Sequence, residues 1–340
     1  MTPPPNEPGA EVEVPAPDPA AEPDGFVVLV APGDRIHFLD WGGPPGDPSQ
    51  AGESSQAGDP SPVAGAAPSI VLVHGLAGTA WAWSPVARRL GGRRRVVAMD
   101  LRGHGLSDAP TDDGAYDLEV LAEDVIAVAE GSGAIEDLAG RVILAGHGFG
   151  AIVAAAAAAA LGPRCAGLVL VDGGWVPLEA ETGLDVEEFL RGLDEPPEVL
   201  ASMSAYLADR AAFDPATWDA DQERAARATV VETAAGKVVP TTRPHVLEAC
   251  VRTMFAYDPI ATLRAVVAPI VAIAATASGD DVPGVRDRAL AESTAARAAD
   301  GRGPIRLVSF GRDGHNLMRY RPVEVCRAIL EVADEAGPPS

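Results

Sequence analysis

The chain has 340 residues, enough for one large α/β domain carrying an insertion or for two ordinary domains. Its 26 Lys and Arg stand against 49 Asp and Glu, a formal charge of −23 that disfavours nucleic acid and anionic membranes as partners. Cys165, Cys250 and Cys326 are widely spaced among apolar residues, which fits small buried hydrophobes better than a disulfide framework.

Residues 1–24 are rich in Pro, Ala and acid with almost nothing to bury, so a disordered tail is expected there. They hold no basic region and no apolar core, so they do not read as a signal peptide, and a cytoplasmic protein is expected. A hairpin follows, from Phe26–Val30 through Pro32-Gly33-Asp34 to Ile36–Trp41. From 43 to 68 the composition falls to Gly, Pro, Ser, Ala and acid, the signature of a low-complexity inserted loop.

Apolar runs then alternate in type: strand Ile70–Val73, helix Pro85–Leu90, strand Val96–Met99, helix Leu118–Ala129, strand Val142–Leu144, helix Ile152–Leu161, strand Leu168–Val171. Strands apolar throughout, alternating with helices, predict an α/β fold with a mostly parallel sheet covered on both faces. The longest apolar run, Ala151–Leu161, is too short to span a bilayer and reads as a buried helix. From Trp175 the alternation breaks, and 176–255 is helical in character, an inserted cap after the sixth strand. Alternation resumes with strand Ile270–Ala274, helix Ala289–Ala299, strand Ile305–Phe310 and a closing helix Val323–Ala333, so the core is expected over 25–175 and 256–335.

The most informative stretch is Gly146-His147-Gly148-Phe149-Gly150 between a strand and an alanine-rich helix. That is the context of a nucleophile elbow, where a turn holds a reactive side chain above the strand end. Gly146 and Gly150 meet the demand for close backbone approach. Gly148 occupies the nucleophile position and has no side chain. Ser84 and Ser107 are the nearest hydroxyls by motif, and neither is expected to face the elbow.

Four further segments keep the chain order of such a site. They are His74-Gly75-Leu76 after one strand, Asp100-Leu101-Arg102-Gly103-His104-Gly105-Leu106-Ser107 after the next, Asp280-Asp281, and Gly314-His315 after the last strand. With these in view the chain resembles the α/β-hydrolase superfamily over about residues 26–333, in its cap-bearing branch of esterases, epoxide hydrolases, dehalogenases and carbon–carbon hydrolases. The resemblance implies an oxyanion hole from the N–H groups of Leu76 and Phe149, and His315 as general base. It also implies an acid orienting that histidine. Asp280 and Asp281 are the preferred candidates, two residues beyond the family's spacing, and Asp172 after strand Leu168–Val171 is the alternative. His74, Gly75, Trp83 and Trp175 are candidates for the substrate pocket, with a structural role in its glycine turn weighed ahead of the pocket for His74 and core packing as the competing role for both tryptophans. His147 is expected to pack beneath the loop and bond backbone.

No metal-ligand spacing is found among the six histidines, so no metal or other cofactor is expected. Two functions remain open. One is a hydrolase or related general-base enzyme acting on a small, largely apolar ester, epoxide or carbonyl compound without a serine ester intermediate. The other is a catalytically silent protein that binds a small apolar ligand.

Overall fold

The computed structural model describes residues 12–44, 67–112, 114–135, 140–193, 198–276, 284–311 and 314–335. Most of the inserted loop expected at 43–68 lies outside these residues.

The chain opens on the hairpin β1 (Asp24–Val30) and β2 (Asp34–Asp40), followed by β3 (Ser69–Val73), α1 (Ser84–Leu90), β4 (Val96–Met99) and α2 (Leu118–Gly131). Then come β5 (Val142–His147), α3 (Phe149–Leu161) and β6 (Cys165–Val171). An inserted segment holds α4 (Leu178–Thr182), α5 (Val186–Arg191), α6 (Met203–Phe213), α7 (Ala220–Ala228), β7 (Val230–Glu232), β8 (Val238–Pro240) and α8 (Pro244–Ala256). The chain returns through α9 (Pro259–Ala265), β9 (Ile270–Thr276), α10 (Val285–Ala299), β10 (Ile305–Gly311), α11 (Leu317–Tyr320) and α12 (Pro322–Glu335).

Eight strands form one sheet in the order β1-β2-β4-β3-β5-β6-β9-β10. β2 pairs antiparallel with both β1 and β4, and every other pairing is parallel. Alternation along each central strand divides the core in two. Val71, Val73, Val142, Leu144, Leu168 and Leu170 face the layer of α2 and α3, whereas Ile70, Leu72, Ile143, Ala145, Val169 and Val171 face the layer of α12. Both faces are dry, which is why these strands read as unbroken apolar runs.

Two expectations are corrected. The tail expected to be disordered to residue 24 is, from Val12 onward, laid against the domain. Val12, Val14 and Ala21 pack on the apolar layer beneath α1 and α12. The Asp18 N–H donates to the Arg88 carbonyl at 3.0 Å, and the Arg88 guanidinium donates to the carbonyls of Pro19 and Ala21 and to the Glu22 carboxylate. Composition missed this because a few apolar residues and one carboxylate suffice when a buried arginine awaits them. The inserted segment is not wholly helical either, since β7 and β8 pair as a short antiparallel hairpin.

Among the described residues, no helix is long and apolar enough to cross a membrane. All three cysteines are buried and free.

Candidate active site

The carboxyl ends of β3, β5 and β6 meet where the strand order turns back on itself, the place in open α/β sheets where a crevice forms. At the end of β5 the chain must reverse sharply into α3. A Cβ on Gly146 would collide with the Gly150 carbonyl, and one on Gly150 with the carbonyls of Val73 and His74. Only glycine fits at either position. Gly148 between them has φ +52°, donates its N–H to the Val171 carbonyl at 3.0 Å, and caps α3. Phe149 is the first residue of that helix, so its N–H has no partner within it.

A cavity of about 1390 Å³ opens over this turn and reaches into the inserted segment. Gly75, Leu76, His147, Gly148, Phe149, Asp172 and His315 lie on its core side. Phe189, Tyr206, Trp218 and Leu247 lie on the inserted side. The expected oxyanion pair, Leu76 and Phe149, therefore reaches the cavity, as does Gly75. His74, Trp83 and Trp175 do not line it, so the pocket role is corrected for all three and the structural roles weighed beside it stand. The two tryptophans are packed in the sheet's flanking layers with almost no exposure. His74 is wholly buried, donating from Nδ1 to the Gly75 carbonyl at 2.7 Å and accepting the Leu101 N–H on Nε2 at 3.0 Å. Its work is to tie two loops together, and burial lowers its pKa.

His315 stands in the loop before α11. Its Nδ1 donates to the Asp172 carboxylate at 2.7 Å. That leaves Nε2 as the lone-pair nitrogen, and Nε2 lies 3.0 Å from the point a Cβ on Gly148 would occupy. The sequence preferred Asp280 or Asp281 as the orienting acid. Both lie outside the described residues, and the place at Nδ1 is taken by Asp172.

Asp172 is held from three sides. Its Oδ1 accepts the Ala275 N–H at 3.0 Å and the Arg286 guanidinium at 3.0 Å, while Oδ2 takes His315. Burial pushes its pKa up, but the hydrogen bond and charge of His315, then Arg286 and the Ala275 N–H, outweigh burial and leave it below the ordinary carboxylate value. The residue also sits at φ +46°, a left-handed backbone that costs a non-glycine residue energy and persists only where its surroundings enforce it. Arg286, on the first turn of α10, further donates to the Ala275 carbonyl and pairs with Glu181 of α4 at 2.8 Å. Sequence reasoning missed Arg286; its one signal was a basic residue early in the helix after the acid loop.

His147 bonds backbone as expected, donating from Nε2 to the His315 carbonyl at 3.0 Å. Its ring lies 4.4 Å from that of His315, and burial, followed by the charge of His315, pushes its pKa down to about 3. It stays neutral and props the loop. Ser84 donates to the Trp81 carbonyl and Ser107 to the Asp100 carbonyl, so neither hydroxyl is turned to the cavity.

The profile of the alpha/beta hydrolase family matches residues 70–328, from β3 into α12. This chain belongs to the α/β-hydrolase family. Among relatives of this α/β-hydrolase, 2-(acetamidomethylene)succinate hydrolase of Mesorhizobium japonicum is 32% identical over 148 residues, 43% of this chain and 50% of that protein. Epoxide hydrolase 4 of Mus musculus is 33% identical over 87 residues, 26% of this chain and 23% of that protein. These alignments span half or less of each relative's own length. Solved structures agree in fold. E-2-(acetamidomethylene)succinate hydrolase superposes with a TM-score of 0.66 at 20% identity, covering 92% of this chain and 100% of that one. A thioesterase domain from the curacin biosynthetic pathway gives 0.64 at 19% identity, covering 91% and 99%.

Proposed function

We propose that this α/β-hydrolase is a general-base enzyme that hydrolyses, or removes a proton from, a small ester, epoxide or carbonyl compound without forming a covalent intermediate. One observation carries the reading: His315 Nε2, its Nδ1 bonded to Asp172, lies 3.0 Å from the point where a side chain on Gly148 would begin, so an oxygen in the cavity beside that point is within its reach. In the relatives' plan that oxygen belongs to the nucleophile. Here it is a water's.

The step follows from that arrangement. His315 Nε2 takes a proton from the water as its oxygen bonds to the substrate carbon. The carbonyl π electrons move onto the carbonyl oxygen, where the N–H groups of Leu76 and Phe149 stabilise the charge. Collapse expels the leaving group, which receives the proton from His315. Asp172 keeps Nδ1 protonated and offsets the imidazolium charge, and Arg286 fixes Asp172 in turn. The segment from α4 to α8 acts as a cap over the cavity. Partial machinery of this kind retains roughly 10³–10⁴-fold catalysis in hydrolases stripped of triad members.

The test is hydrolysis of p-nitrophenyl acetate by the wild type, with pre-steady-state sampling. Slow turnover without a burst, lost in His315→Ala, supports the reading; turnover unchanged in His315→Ala would remove it. The empty nucleophile position favours a second reading, a silent protein that uses the same cavity to hold a ligand.

A further inference from the structure

The cavity departs from the charge of the chain around it. The whole molecule carries −23, yet the ionised side chains on the cavity wall are four arginines, Arg210, Arg243, Arg286 and Arg319, against three carboxylates, Asp172, Glu181 and Asp209. The carboxylates are already engaged. Arg286 pairs with Asp172 and Glu181, and Arg210 pairs with Asp209 at 3.4 Å. Among the described residues neither Arg243 nor Arg319 has a carboxylate partner.

Arg319 is also held in place. It lies on α11, four residues after His315, and reaches across to the inserted segment. Its Nε donates to Thr217 Oγ1 at 2.6 Å and its Nη2 to the Asp214 carbonyl at 2.7 Å. The rings of Trp218 and Tyr320 lie 5.9 and 5.6 Å from its guanidinium carbon. Both acceptors are uncharged, and Thr217 Oγ1 in turn donates to the Asp214 carboxylate at 3.0 Å, so the side chain is oriented without a direct ion pair. The remaining Nη1 edge has no hydrogen-bond partner among the described residues. Arg243 stands at the start of α8 on the same cavity and adds to the field.

From this we infer that the ligand of this cavity carries a free carboxylate, read by Arg319 with Arg243 in support, at a distance from the carbonyl that meets His315. A planar two-oxygen anion matches the edge of a guanidinium, and a single negative charge matches the one arginine in excess on the wall. In a molecule this acidic, a wall with one arginine in excess favours the approach of such an anion. The inference rests on the cavity being the substrate site proposed above, and refines that substrate to a carboxylate-bearing acyl compound.

Calorimetric titration at low salt with monomethyl succinate, dimethyl succinate and inorganic phosphate separates the possibilities, in wild type and in His315→Ala, which cannot turn the esters over. The monoacid is expected to bind at least about tenfold tighter than the diester, the margin a charge-assisted hydrogen bond supplies. Phosphate is expected to bind more weakly than the monoacid. Arg319→Gln abolishes the margin, Arg243→Gln reduces it, and Arg319→Lys, which keeps the charge without the fork, leaves part of it. If Arg319→Gln fails to fold, Arg243→Gln and Arg319→Lys carry the test. Equal binding of acid and diester, tighter binding of phosphate, a margin untouched by these variants, or no binding by any probe would overturn the inference. A lost margin beside His315-dependent turnover sinks this inference alone; a preserved margin in a protein with no turnover sinks the catalytic reading alone.

Discussion

His315 Nε2 lies 3.0 Å from where a side chain on Gly148 would begin, and its other nitrogen is bonded to Asp172 at 2.7 Å. A base is thus oriented by an acid and aimed at a position without a nucleophile. Asp172 keeps a left-handed conformation with three partners on its carboxylate, His315 among them.

The first consequence concerns the acid. Asp172→Asn should leave the fold intact but present the wrong hydrogen-bonding partner to Nδ1, favouring the imidazole tautomer that has no lone pair at Nε2. His315-dependent hydrolysis is expected to fall by about 10²-fold or more, the size of a general-base contribution. Asp280→Asn and Asp281→Asn should stay near the parental rate. Steady-state kinetics on the three variants decides, and a loss confined to Asp280 or Asp281 would place the acid elsewhere.

Much of this was legible in the sequence, for reasons that name themselves. The central strands are buried on both faces, so Ile70–Val73 and Val142–Leu144 could be nothing else. Gly146 and Gly150 announced the elbow because backbone sits where their Cβ atoms would be. The acid was less legible, because Asp172 ends a strand and Asp280 and Asp281 lie in a later loop, and spacing cannot say which carboxylate reaches His315. The direct follow-on of Asp172-Gly173-Gly174 from β6 was the signal available. Trp83 and Trp175 misled because a large aromatic serves a core as well as a pocket. Arg286 and Arg319 were missed because Asp172 and Thr217, which they contact, are far off in the chain.

The N-terminal strap should matter to stability. Arg88 is largely buried, and residues 18–22 supply most of its acceptors, leaving only Asp221 of α7 when they are removed. Deletion of residues 1–23 is expected to destabilise the protein by about 1–3 kcal/mol, the cost of uncovering a buried donor. Glu22 also pairs with Arg224 on α7, so the strap joins the core to the inserted segment. Denaturant unfolding reads the change, and an unaltered midpoint would show that the contacts contribute nothing.

Stability should fall on acidification below about pH 6.5. His104 and His147 are pushed down to about 3 by burial, and His74 is lowered by the same cause. Each binds a proton in the unfolded chain before it does in the folded one, so stability is full above the unfolded value of about 6.5 and declines as pH drops toward the folded value. The slope is at most about 1.4 kcal/mol per pH unit for each histidine kept neutral. Melting temperatures from pH 7 to 4 check this, and a flat profile would contradict it.

Wild-type protein should form no adduct with serine-directed phosphonates, since Ser84 and Ser107 are turned into backbone contacts. Intact-mass spectrometry after prolonged exposure would reveal one, and a stoichiometric adduct would mean that a hydroxyl elsewhere has become the nucleophile.

The most direct measurement restores the missing group. In Gly148→Ser the new Cβ begins 3.0 Å from His315 Nε2, so the imidazole, 62% exposed, must give way by a few tenths of an ångström. The positive φ adds a strain of about 1–3 kcal/mol. The variant should still fold, cleave p-nitrophenyl acetate orders of magnitude faster than wild type with a pre-steady-state burst, and lose that gain in Gly148→Ser/His315→Ala. A folded Gly148→Ser that remains inert, or one whose gain survives without His315, would contradict the claim that a working base and oxyanion hole stand assembled around an empty position.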